Sequence, residues 1–268
     1  MFKNLAFKGS ILFLIILTFL SILIIITPSL RDALNHQNLN HVFAKPNLSH
    51  PFGTDQLGRD LFLRVVAGFF TSLSIALVSS AISFIIGVTI GLLAALSSPS
   101  VDKVILGITN VFLSIPPLLL SVIFVFLIGH GITALTVAMG VGYIPFFIRS
   151  VRIYALSLLS QEFIIYSRSL GATRWYLLKK HLLKPIFIFA LIQGIYSLQG
   201  VILGSTSLSF IGVGVSSFLP EWGNMLGEAQ NYWGSSFYFL FFPLLIFFLT
   251  MFSFHIMTQT FHQKSEEL

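Results

Sequence analysis

The sequence predicts an all-α polytopic membrane protein with six transmembrane helices and both termini cytoplasmic. Three observations lead there. Hydrophobic residues fill 56% of the 268 positions and charged residues 9%, with a mean hydropathy of +0.93, a balance that no soluble domain of this length carries. The charges stand in groups that separate apolar runs of about 20 residues or more, the length a helix needs to cross a bilayer. Lysine and arginine are shared unequally between alternate groups, as topology signals are.

The elements follow in order. An apolar run from about Gly9 to Thr27 lies between Lys8 and Pro28. It is longer than a signal-peptide core and has no small-residue cleavage site, so it is expected to stay as an anchor. The second span runs from about Gly68 to Leu96 and stops at Ser97-Ser98-Pro99-Ser100. No formal charge interrupts Val104 to Ile148, a stretch too long for one crossing, and Gly129-His130-Gly131 marks the reversal between spans three and four. The fifth span is expected to start after Pro185 and to reach about Ser209, and the sixth covers about Phe237 to Met257.

With the N-terminus inside, Lys3, Lys8, Lys103, Arg149, Arg152, Arg168, Arg174, Lys179, Lys180, Lys184 and Lys264 fall on the cytoplasmic side, and only Arg31, Lys45, Arg59 and Arg64 fall outside. This places the loop Glu162 to Pro185 inside. The chain then divides into an anchor with an outer loop over 1–67, a transmembrane core over 68–258 and a cytoplasmic tail over 259–268.

Composition also excludes functions. With no cysteine there is no disulfide, thiolate metal site or cysteine nucleophile. The net charge of +6 raises nucleic-acid binding, but the basic residues flank apolar runs, so no nucleic-acid partner is expected. There is no HExxH, no G-x-S-x-G and no pair of acids inside a span, which argues against a membrane-embedded enzyme. A channel or secondary carrier would place charges or broken helices at mid-membrane, and the central spans are expected to carry neither. No metal or other cofactor is implied.

Two polar segments stand out. Glu162 to Pro185, EFIIYSRSLGATRWYLLKKHLLKP, reads as two short helices joined at Gly171, with Glu162, Tyr166 and Ser169 on one face of the first and Trp175, Leu178 and Leu182 as an apolar stripe on the second. Such a segment suits docking of a soluble partner, and equally suits lying on anionic lipid headgroups. In His50 to Asp60, HPFGTDQLGRD, Pro51 and Gly53 make a turn and Thr54 or Asp55 can cap a following helix. Leu57, Leu61 and Val65 would face the membrane surface. Capping is favoured for Asp55 over contact with an external protein, Arg59 and Asp60 pair with neighbours, and His50 alone is a weak metal-ligand signal.

Within the spans, Gln193 and Gln199 are candidates for a pore wall or for interhelical hydrogen bonds. The pairs Gly87 with Gly91 and Gly200 with Gly204 have the spacing of close helix packing. Trp222, Tyr232 and Trp233 fit an aromatic belt at the outer boundary.

The order Glu162, Arg168, Gly171-Ala172, Arg174, His181 and then a proline before the next span resembles the inner-loop motif of binding-protein-dependent ABC transporter permeases. His50 to Asp60, with Gly53, Thr54, Asp55, Gly58 and Arg59, resembles the outer-loop signature of their dipeptide/oligopeptide/nickel branch. Ser207 to Leu226, SLSFIGVGVSSFLPEWGNML, and Ser114-Ile115-Pro116 resemble further segments of that branch. Tyr166 and Ser167 stand where the family has two small residues, and Lys184 where it has proline. The resemblance implies half of a pore in the bacterial inner membrane, paired with a second permease subunit. It also implies two cytoplasmic ATPase subunits and an extracytoplasmic substrate-binding protein. Peptide is the first expected cargo and nickel or a metal chelate the second, with an ATP-independent channel or carrier as the remaining alternative. The chain itself has no G-x-x-x-x-G-K-[ST] loop for nucleotide phosphates. Glu162, Arg168 and Gly171 are the residues expected to couple ATPase motion to the spans, with glycine as hinge and the charged pair orienting the loop.

Overall fold

The computed structural model describes residues 2–215 and 218–266. Helix α1 spans Phe2–Ile26 and stops where Pro28 cannot donate into it; Pro28 instead opens α2, Pro28–Asn35. An irregular segment with one short turn at Leu39–His41 leads to α3, Leu61–Leu96. At 36 residues and 1.5 Å per residue, α3 is about 54 Å long, well beyond the roughly 30 Å of hydrocarbon. It begins at Leu61, not near Gly68, because the Asp60 carboxylate accepts from the Leu63 N–H at 2.9 Å and caps it there.

The third crossing differs from the straight helix expected. Pro99–Leu113 (α4) and Pro117–Ile128 (α5) meet at an 89° bend. The cause is local: consecutive Pro116 and Pro117 remove two backbone donors, and a residue before proline is pushed out of the helical region. The expectation of unbroken central spans is therefore corrected. Gly129 and Gly131, at φ of 114° and 119°, turn the chain into α6, Ile132–Leu159.

Helix α7, Glu162–Ser169, is followed by a turn at Gly171 and by α8, Arg174–Leu177. A widened π turn over Leu178–Leu182 then joins α8 to α9, Leu183–Phe210. The fifth apolar helix is thus continuous from Arg174 to Phe210, and Pro185 does not mark its start. The widened turn sits just before Pro185, whose ring would crowd the carbonyl four residues back in a regular helix. The chain ends with the short α10, Trp222–Ala229, a turn at Gln230–Tyr232, and α11, Phe237–Glu266.

Among the described residues, five helices are long and apolar enough to cross a membrane, or six if the bent α4–α5 pair is one span. Helix α3 forms the axis. Helix α6 runs alongside it in the same direction, since Ser79 Oγ donates to the Thr136 carbonyl at 2.7 Å and Ser83 Oγ to the Gly140 carbonyl at 2.6 Å, both 57 residues on. The close approach needs glycine: a Cβ at Gly91 would stand 2.7 Å from the Ile148 carbonyl oxygen. Helix α9 runs the other way, with Phe187 against Phe84 and Ser197 Oγ donating to Ser80 Oγ at 2.9 Å. Its Gly204 lies against Met139 of α6. Helix α1 bonds α3 near that helix's start, through Ser21 Oγ to the Val66 carbonyl. At the far end of α1 the ring of Phe7 meets Phe261 of α11 at 5.9 Å. The starts of α1 and the far part of α11 therefore share the end of the bundle where α3 finishes.

Candidate functional site

The two sequence motifs occupy opposite ends of α3. At its finish, the loop from Glu162 to Leu177 leans on the helix ends: Arg174 Nη1 donates to the Leu96 carbonyl at 2.6 Å, satisfying an acceptor that the last turn of α3 leaves open. Only Ile164 of α7 is buried. Tyr166 is 68% exposed and Leu170 72%, and Phe163 and Ile165 are about half exposed. Gly171 adopts φ of 88°, a conformation that residues with a Cβ rarely take, and nothing lies within 4 Å of a Cβ there. A shallow groove lined by Ser167, Leu170, Gly171, Ala172, Thr173 and Tyr176 opens beside it.

Two expectations for this loop change. Glu162 and Arg168 form no ion pair with each other among the described residues. They sit in the first and last turns of α7, where each charge complements its own end of the helix dipole. The apolar stripe is Leu178, Leu182 and Ile186, packed in a cluster with Val151 and Ala155 of α6, and Leu177 is buried as well. Trp175 is 63% exposed, because a π turn inserts a residue and rotates what precedes it by about 100°. Lys179 Nζ stands over the Trp175 ring at 5.0 Å and Lys180 Nζ over Tyr176 at 5.4 Å. His181 contacts the rings of Phe163 and Tyr176, tying α7 to the second helix.

At the start of α3, His50 to Asp60 folds as a compact knot. A Cβ at Gly53 would strike the Ala44 carbonyl and one at Gly58 the Asn38 backbone, and both residues have positive φ, so glycine is required twice. Thr54 Oγ1 donates to the His41 carbonyl and accepts from the Ala44 N–H. Asp55, 1% exposed, accepts from the N–H groups of Leu57 and Arg59, each at 2.9 Å, and from Arg59 Nε at 2.6 Å. Arg64 Nε lies 3.6 Å from the same carboxylate.

Asp55 therefore organises two buried arginines and does not cap a helix; Asp60 is the cap, with His50 Nδ1 2.7 Å from its other oxygen. The surface helix expected after it is absent, since Leu61 and Val65 are fully buried in the main core. Among the described residues no three His, Asp or Glu are placed to hold a metal ion.

This knot is clamped to α10, a connection the sequence reading missed. Gln56 Nε2 donates to Glu228 Oε2 at 2.7 Å, and Arg59 Nη2 lies 3.5 Å from the same oxygen. Trp222, expected at the membrane boundary, is fully buried and donates from Nε1 to the Val65 carbonyl at 3.0 Å. Glu221 is also buried; it caps α10 by accepting from the Asn224 N–H at 3.0 Å. Burial raises its pKa, opposed by hydrogen bonds from the Asn224 N–H and Ser72 Oγ. The only local signal was the cap spacing of Glu221 before a short helix.

Residues 87–266 match the model of the family described as binding-protein-dependent transport system inner membrane component. The chain belongs to that family. It is a multi-pass transport permease of the bacterial inner membrane in the peptide branch, and it is not an enzyme: ATP hydrolysis takes place on separate ATPase subunits. The permease is 34% identical over 227 residues to the glutathione transport system permease protein GsiD of Pectobacterium atrosepticum, covering 84% of this chain and 75% of that protein. Its identity to the probable D,D-dipeptide transport system permease protein DdpC of Escherichia coli is 32% over 211 residues, 79% of this chain and 71% of that one. In fold it is similar to a chain of the MetNI methionine ABC transporter in an inward facing conformation, with a TM-score of 0.56 at 22% identity over 74% of this chain and 96% of that chain.

Of the two glutamines considered for a pore wall, Gln199 bridges α9 to α11 within the permease. Its Nε2 donates to the Met251 carbonyl and its Oε1 accepts from Thr258 Oγ1, both at 3.3 Å. Gln193 is half-buried on α9 two turns nearer the loop.

Proposed function

We propose that this permease forms half of the translocation pore of an ATP-driven importer for dipeptides or oligopeptides and receives the ATPase stroke on the Glu162–Leu177 loop. The observation that carries this reading is the contrast within that loop. Leu178 and Leu182 anchor it into the cluster with α6, while Phe163, Ile165, Tyr166 and Leu170 stay uncovered around a glycine hinge. An uncovered apolar patch on a firmly rooted loop is what a soluble partner docks on. Motion of that partner then passes to the spans as a rigid-body displacement. The stacked pairs Trp175 with Lys179 and Tyr176 with Lys180 favour a second contact, with anionic headgroups, along the loop's other edge.

In this reading the bent α4–α5 pair is one crossing. Helices α3 and α6 run in the same direction, so the chain between them must return across the bundle. That makes six spans, with the loop and both termini cytoplasmic, in keeping with the lysine and arginine count. A second permease subunit completes the pore, two ATPase subunits dock below, and a substrate-binding protein delivers cargo to the end that carries the Asp55 knot. Peptide is preferred because relatives in the family are named for glutathione and D,D-dipeptide transport; nickel or a chelate is the alternative cargo.

The Gly171→Pro variant tests the docking reading. Proline cannot adopt the positive φ of Gly171, and the position has no packing to lose. The variant is expected to reach the membrane at the normal level, to lose co-purifying ATPase and to abolish ATP-dependent dipeptide uptake. Normal uptake with normal ATPase recovery would overturn the docking reading and leave the headgroup contact.

A further inference from the structure

Helix α4 is the least anchored apolar helix of the bundle. Thr109 is its single buried residue, while Val101, Val104, Ile108 and Val111 are exposed. It is bounded by Ser97-Ser98-Pro99 at one end and by the 89° bend at Ser114-Ile115-Pro116 at the other. Both boundaries are places where proline and the residue before it interrupt helical bonding. One strong polar tie holds it. Asp102, in the first turn of α4, accepts from Arg152 Nε and Arg152 Nη2 of α6, each at 2.5 Å. Both side chains are four-fifths or more shielded from solvent, and the two-pronged geometry fixes orientation as well as distance.

The tie stands between the docking loop and the broken span. Arg152 follows Val151, which packs against Gly91 near the finish of α3. Arg174 of the loop bonds the Leu96 carbonyl two residues before Ser98, and Arg168 and Arg174 line one cleft with Leu96 and Pro99. A displacement of the loop thus reaches the α3–α4 corner through Arg174 and reaches α6 through the chain at Leu159.

We propose that Asp102 and Arg152 are positioning residues for transport: their ion pair fastens α4 to α6, so that the stroke received by the loop swings α4 about the Ser114–Pro117 bend and is not lost in independent motion of α4. This rests on the coupling reading above. Without the pair, α4 has one buried side chain and two proline breaks, and no other ion pair among the described residues holds it to α6.

The assembled transporter, reconstituted with its ATPase subunits, second permease subunit and binding protein, provides the test, with Asp102→Asn, Arg152→Lys and the exchange Asp102→Arg with Arg152→Asp. The quantity read is dipeptide taken up per ATP hydrolysed, beside the yield of assembled complex. Both single variants are expected to assemble normally and to lose about tenfold in that ratio, within the usual range of coupling between sites. Lysine keeps the charge but not the fork. The exchange is expected to restore the ratio in part, because arginine in the first turn of α4 opposes the helix dipole. Single variants that fail to assemble would make the pair a structural tie only and overturn the proposal. An unchanged ratio, or no recovery in an exchange variant that assembles, would overturn it as well. If the unaltered chain does not assemble with ATPase subunits, the coupling reading itself fails.

Discussion

The two ends of α3 carry motifs of similar length and polarity, and they are built in opposite ways. At the start, Asp55, Arg59 and Arg64 are almost wholly buried, and Glu228 reaches Arg59 and Gln56 from α10. At the finish, Tyr166, Leu170 and Trp175 are mostly exposed, and Gly171 has open space around it. The first motif is a closed structural knot whose charges answer one another. The second is rooted on one side and uncovered on the other. A charged motif in a membrane protein can therefore serve the fold or a partner, and the difference lies in whether its charged side chains are buried against opposite charges of the same chain or left exposed.

The largest expected effect breaks the knot. Asp55→Ala leaves Arg59 and Arg64 buried without their shared carboxylate, and breaking such a pair costs about 3–5 kcal/mol. The amount of folded protein in the membrane should fall steeply, and Asp55→Asn should fall too, because the amide keeps the backbone acceptor but loses the charge. Folded yields equal to wild type for both variants would show that the knot is not the structural half of the comparison.

A smaller effect is expected at the other end. Tyr166→Ala removes an exposed side chain, so stability should stay within about 0.5 kcal/mol. Recovery of the ATPase subunits should drop about tenfold, or roughly 1.4 kcal/mol of binding. In the same cysteine-free chain, Tyr166→Cys should react with an impermeant thiol reagent only after the cells are permeabilised. Labelling of intact cells would reverse the orientation and place this loop outside.

The smallest effect sharpens the comparison at Glu221. Burial raises the pKa of this carboxyl, so the folded protein keeps a proton that the unfolded chain releases. Its contribution is fully present below the ordinary carboxylate range and is lost as pH rises through the raised value. Glu221→Gln retains an oxygen to cap α10 and removes the titration. The variant's thermal midpoint should therefore gain on wild type as the buffer moves from acidic to alkaline. A difference that stays constant with pH would mean that Glu221 is ionised throughout.

Local chemistry by itself determined the class of this protein, its apolar segments, the turns at Gly53 and Gly171, and the absence of a phosphate-binding loop. Each depends on composition or on neighbours within a few residues. The break at Pro116 and Pro117 was also written locally, although hydropathy averaging over a long apolar run conceals it. The continuous helix from Arg174 through Pro185 was not legible, since it depends on a π turn that packing against Val151 and Ala155 supports.

The tertiary structure alone decided which polar residues are satisfied inside the chain. The bond between Gln56 and Glu228 joins positions 172 residues apart, and that between Trp222 and the Val65 carbonyl joins positions 157 apart. No helical or turn periodicity encodes such pairings. Asp55 read as a helix cap because a turn precedes it, and it is buried beside Arg59 and Arg64 because distant elements close over it. Asp102 and Arg152 lie in segments that looked like separate loop ends, and only the parallel packing of α6 on α3 brings them together.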